Sequence, residues 1–217
     1  MTVYKEKLKC GAEVVWSVPL SGFGHVADEQ PLPYIHFNGI ELTPRYGGEE
    51  ALTSSSIQSL PLPYGKLKKK WPIQQRLFNL TRKKINIYWR NLFTTFCKKD
   101  NTFYFLEQLN FTGNKNGFIG ISPLLVFSRS FKFSNNGIAV NDKIKFLKSI
   151  EFEYLHISPY AEFLESNCEI NVNLDINHEK VISSSTGKAI WKSNMLNNAK
   201  FKAGEEISWQ YQYQIKY

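Results

Sequence analysis

The chain has 217 residues, of which 42% are hydrophobic and 15% aromatic, and a formal net charge of +8. Its length and apolar content suit one globular domain, or at most two, and exclude an unstructured polymer. Eleven of the 27 Lys and Arg residues fall between Lys66 and Lys99, where no Asp or Glu occurs, so the other sixteen face all 19 acidic residues.

No run approaches 18 apolar residues, which excludes a membrane-spanning helix. Cys10, Cys97 and Cys168 are far apart and lack CxxC spacing. Neither a disulfide framework nor a zinc site is expected, and reduced thiols in a cytoplasmic setting follow. The N-terminal MTVYKEKLKCGAEVVW lacks the apolar core of a secretory leader.

Residues 12–18, AEVVWSV, read as a buried strand. A Gly- and Pro-containing turn with His25 and Asp28 follows. In YIHFNGIEL (Tyr34 to Leu42), Asn38-Gly39 between two apolar runs predicts a hairpin. Residues 44–65, rich in Pro, Gly and Ser, read as loop. In the basic stretch, Ile73, Leu77, Leu80, Ile87, Leu92, Phe93 and Phe96 recur at spacings near three and four. With Pro72 at a first helical position, this predicts a basic amphipathic helix over 66–99. The alternation in KINIYW leaves a strand open there.

From residue 101 the period is two. GNKNG (113–117) marks a turn. In SFKFSNNGIAVNDKIKF, Phe131 and Phe133 share a face, Asn136-Gly137 turns, and Ile138 and Val140 answer from the return strand. Asn141-Asp142 reads as the next corner. Alternation resumes at Ile144 and Phe146, continues through Ile150–His156 and Ile170–Ile176, and ends at Ile207–Tyr217. Trp209, Tyr211 and Tyr213 then share one face, more suited to a core than to sugar stacking. Half-buried antiparallel strands require such alternation. The expected fold is mainly β: an antiparallel β-sandwich of large twisted sheets, one domain over 1–217, with 66–99 as a basic helical insertion.

The basic stretch carries the functional signal. Lys68, Lys69, Lys70, Arg82, Lys83 and Lys84 match the carboxylates or sulfates of an acidic polysaccharide, with Trp71 and Trp89 placed to stack. The same residues on an amphipathic helix suit an anionic membrane surface, and a solvated basic face is the bland alternative. Nucleic acid ranks below these, because no recognised binding module surrounds the charge. His25 is the candidate acid or base, and His25 with Asp28 the candidate metal ligands, although zinc takes three or four. His156 in a strand and His178 in a turn read as structural. No GxSxG or phosphate-binding glycine loop occurs, and no cofactor is expected.

Two segments resemble heparinase II/III-like proteins. SGFGHVADEQPLPYIHFNGIELTPRYGG is similar to that family's His- and Asp-containing turn, strand, hairpin and Gly-rich loop. SRSFKFSNNGIAVNDKIKF is similar to a later hairpin, at Arg129, Gly137, Val140 and Asp142. The resemblance implies an acidic-polysaccharide lyase architecture, a helical toroid followed by a sandwich, of which this chain would be the sandwich portion alone. The toroid, which holds most of the catalytic side chains, would be a separate N-terminal domain or partner chain. The expectation is a non-catalytic or accessory protein of polysaccharide metabolism, with peripheral membrane or protein docking through 66–99 as the alternative.

Overall fold

The computed structural model describes residues 2–19, 31, 33–43, 63–67, 94–99, 102–107, 109–156, 161–164, 168–173, 178–182, 188–193 and 196–216. These contain nineteen strands and no helix: β1 (Val3–Lys7), β2 (Glu13–Ser17), β3 (Tyr34–Phe37), β4 (Ile40–Glu41), β5 (Tyr64–Leu67), β6 (Thr94–Lys99), β7 (Thr102–Glu107), β8 (Asn110–Asn114), β9 (Gly117–Ile121), β10 (Leu125–Phe133), β11 (Gly137–Phe146), β12 (Ile150–His156), β13 (Ala161–Leu164), β14 (Cys168–Asn173), β15 (His178–Ile182), β16 (Lys188–Ser193), β17 (Leu196–Asn197), β18 (Lys200–Phe201) and β19 (Glu206–Ile215).

All recorded pairings are antiparallel, as the alternating sequence requires. A central sheet runs β14-β19-β11-β10-β9-β8. A second runs β1-β2-β3-β4, a third β17-β12-β5-β7-β6 with β18 also on β12, and β13-β16-β15 form a small fourth. The two longest strands, β11 and β19, pair from Gly137↔Gln214 to Lys145↔Glu206. The inner face of this pair carries Ile138, Val140, Ile144, Trp209, Tyr211 and Tyr213, all buried. The outer face carries Lys143, Gln210 and Gln214, all exposed.

Two sheets close onto that inner face. From β2, Trp16 meets Phe131 and Phe133 with ring centroids 5.5 and 5.1 Å apart. At the other end Phe146 stacks on Phe201 at 4.0 Å, with Phe152 edge-on to both. One core joins residues of β2, β3, β9, β10, β11, β12 and β19. Its large aromatic side chains, Trp16, Phe118, Phe127, Phe131, Phe146 and Trp209 among them, are interleaved with Ile, Leu and Val, which suits packing between sheets.

The Asn38-Gly39 hairpin forms as expected. Both residues have positive φ, 50° and 79°, the conformation a two-residue turn with right-handed strand twist requires. Several expectations need correction. Asn141-Asp142 is no corner, because β11 passes through it without a break. The Asp142 carboxylate is satisfied in the core and needs no turn to reach water. The helix expected over 66–99 is replaced by strand at both ends, in β5 and β6. Thr94, Thr95 and Phe96 favour an extended backbone, and β7 supplies the pairing partner. Residues 68–93 lie outside the described residues. His178, expected in a turn, begins β15.

Candidate functional site

β5 and β6 lie on opposite sides of β7, and both pair with it antiparallel. They therefore run parallel to each other, two strand spacings or about 10 Å apart. Parallel strands need a connection of roughly a dozen residues or more, and in sequence the stretch from 68 to 93 links these two. It contains Lys68, Lys69, Lys70, Arg76, Arg82, Lys83, Lys84 and Arg90 and no acidic residue. The expected ligand-binding residues Lys68, Lys69, Lys70, Trp71, Arg82, Lys83, Lys84 and Trp89 all fall outside the described residues, as do His25 and Asp28. The frame fixes where the basic stretch leaves and re-enters the sheet.

His36 is described. It sits in β3 opposite Glu13 of β2 and Glu41 of β4, half-buried on the outer face of its sheet. Both carboxylates are engaged elsewhere. Glu13 pairs with Lys5 at 2.8 Å, and Glu41 accepts a hydrogen bond from the Tyr34 hydroxyl at 2.8 Å. The Lys5 hydrogen bond holds the Glu13 carboxyl below its usual range, with lesser pulls from Lys7 and His36. Among the described residues no group of three or more His, Cys, Asp or Glu side chains could hold a metal.

The strongest polar constellation lies inside the core. Arg129 of β10 stands opposite Asp142 of β11. Its Nε donates to Asp142 Oδ1 at 2.8 Å and its Nη2 to Oδ2 at 2.7 Å, with both side chains at 0% exposure. Nη1 donates to the Pro31 carbonyl at 2.8 Å, so the pair also holds the chain just before β3. The guanidinium lies 5.7 and 5.5 Å from the ring centres of Phe118 and Phe127. Burial pulls the Arg129 pKa down, but the Asp142 carboxylate more than offsets it and the net shift is upward. A planar fork on a carboxylate is the arrangement that best supports a buried charge pair. Sealed from solvent, it is a structural clamp and not a reaction centre. The sequence contains its signal: counting outward from the Asn136-Gly137 turn places Arg129 across from Asp142.

No family model and no curated protein matches the sequence. Among solved structures, the fold is similar to a protein from Escherichia coli K12 provisionally described as an aldose 1-epimerase. The identity is 7% and the TM-score 0.49, over 100% of this chain and 99% of that one. It is weakly similar to the heparan sulfate lyase HepC from Pedobacter heparinus, at 12% identity and a TM-score of 0.34. A mutant of that lyase gives 13% and 0.31. The match covers 98% of this chain and 34% of HepC, so the chain spans about a third of the lyase's length.

Proposed function

We propose that this chain is an accessory β-sandwich of polysaccharide metabolism that binds an acidic polysaccharide through its basic stretch. The observation that supports this is the charge segregation. Eight Lys and Arg residues with no acidic residue occupy a connection whose two ends are tied to one sheet. Clustered cations on a fixed frame attract a polyanion electrostatically, and Arg forks match its carboxylates and sulfates. Trp71 and Trp89 supply flat apolar faces beside the charges.

The test is retention of the purified chain on an array of acidic and neutral polysaccharides. A parallel variant has Lys68, Lys69, Lys70, Arg82, Lys83 and Lys84 changed to Gln. The expected result is selective retention on sulfated or uronate-containing polymers, weakened by salt and lost in the variant. Equal retention of the variant would overturn the assignment of the site. The near-helical spacing of Ile73, Leu77, Leu80 and Ile87 favours one second reading, docking on an anionic membrane surface. Salt-sensitive sedimentation with anionic but not neutral vesicles, without polysaccharide binding, would select it.

A further inference from the structure

We propose that the chain forms a two-fold symmetric dimer by pairing the β8 edge of its central sheet with β8 of a second copy. Among the described residues no strand pairs with the outer side of β8, which ends the sheet. The backbone groups free there follow from register. β8 and β9 are joined by the two-residue turn Lys115-Asn116, and Asn114 faces Gly117. That closing pair exchanges both backbone hydrogen bonds, and hydrogen-bonded pairs alternate along an antiparallel ladder. Asn110, Thr112 and Asn114 therefore bond to β9. Phe111 and Gly113 direct their N–H and C=O groups outward.

The register of β9 with β10 agrees. The Phe131 N–H donates to the Asn116 carbonyl, which leaves Gly117 and Ile119 to bond β8.

An outward-facing pair two residues apart is self-complementary. An antiparallel β8–β8 ladder with Thr112 on the two-fold axis sets Phe111 opposite Gly113 of the second copy, and the reverse. Both outward pairs then form, giving four new backbone hydrogen bonds in an isologous contact. The side chains fit that register. Phe111 already packs on Phe118 and over Gly120 of its own chain, and Val18 lies over Gly113, so the ladder would form without displacing either. Thr112 would meet Thr112, a favourable cross-strand pairing, and Asn110 would face Asn114.

Edges are ordinarily blunted by charge, proline or a bulge. The β1 edge obeys this with Lys5, Glu6 and Lys7, whereas β8, NFTGN, has none of the three. Asn110, Thr112, Gly113 and Asn114 are all exposed. On the adjoining strand Ile119 and Ile121 are 45% and 49% exposed, an apolar border beside the free edge.

The experiment is sedimentation velocity of the full chain over a concentration series, with Thr112→Lys and Thr112→Glu run separately and mixed. The expected result is a concentration-dependent dimer that each charge weakens at least tenfold, because like charges meet on the axis. Mixing the two variants restores a heterodimer. Thr112 is exposed and its side chain leaves the core untouched, so unchanged thermal unfolding of each variant certifies its fold. A chain that stays monomeric up to about 100 µM, which is weak even for transient association, would overturn the proposal. A dimer indifferent to both variants, or variants that fail to pair when mixed, would do so as well.

Discussion

Changing Asp142 to Asn, and separately replacing the pair by Arg129→Met with Asp142→Leu, tests what the buried clamp contributes. The single change removes the Asp142 charge beside a guanidinium at 0% exposure and breaks their two-point hydrogen bond. Breaking one partner of such a pair costs about 3–5 kcal/mol. Replacing both with apolar residues of similar volume removes the desolvation cost and is often neutral or stabilising by about 1–4 kcal/mol. In this protein the double change also strands the Pro31 carbonyl, at about 1–3 kcal/mol. The two terms nearly cancel, so the double variant is expected close to wild type and the single variant about 3–5 kcal/mol below it. With a urea m-value near 2–3 kcal/mol/M, the single change lowers the unfolding midpoint by about 1–2 M. Urea melts followed by Trp fluorescence read all three proteins. If Asp142→Asn shifts the midpoint by less than its error, or the double variant falls as far as the single one, the reasoning fails.

Two further outcomes follow from close packing and burial. At Gly117, φ is +142°, and a Cβ would sit 2.1 Å from the Arg129 carbonyl oxygen, whereas at Gly204, with φ +90°, a Cβ meets nothing within 4 Å. Gly117→Ala is expected to cost at least about 2 kcal/mol more than Gly204→Ala in the same melts; equal costs would refute the clash. Burial pushes the Cys168 thiol up to about 12 from 9.0, against smaller opposing pulls from Lys216 and the Gln214 backbone. The stability this group supplies is full below pH 9 and is lost as pH rises toward 12, at about 1.4 kcal/mol per unit. The stability difference between wild type and Cys168→Ala is therefore expected to move against wild type between pH 9 and 11, and a constant difference would contradict the burial.

The parts of the fold legible in the sequence are those where side-chain period and turn chemistry agree. AEVVWSV, the Asn38-Gly39 hairpin, the 113–117 turn and the alternating run at 207–215 all appear where two independent local signals coincide. Asn141-Asp142 misleads because a polar pair between apolar residues has a local explanation, a turn, and a non-local one, a partner 13 residues back. Only the second operates. The ends of 66–99 mislead for a related reason: spacings of three and four in a basic stretch fit a helix locally, while the pairing of Thr94–Lys99 with β7 is a tertiary choice that overrides them. The β8 edge was invisible as a site, because whether a strand is central or terminal depends on sheet order, which no local pattern carries.

The distribution of charge over the described strands bears on what the basic stretch can do. Several surface lysines of the described strands are met by acids on neighbouring strands or nearby in register. Lys5 meets Glu13 at 2.8 Å, Lys143 and Lys145 both meet Glu206, Lys200 meets Glu151 at 3.4 Å and Lys216 meets Glu169 at 3.7 Å. Each such exposed pair contributes little to stability, but it sets opposite charges side by side. The sole deeply buried cation among them, Arg129, is neutralised by Asp142. Between Lys66 and Lys99 that pattern stops, since no acidic residue is interleaved with eleven cations. A segment with eleven cations and no acid has a local field that salt would screen over about 10 Å. That field acts over the length of a few sugar units. It is the physical reason to begin with polyanions, and to measure their retention against ionic strength before any assay of turnover.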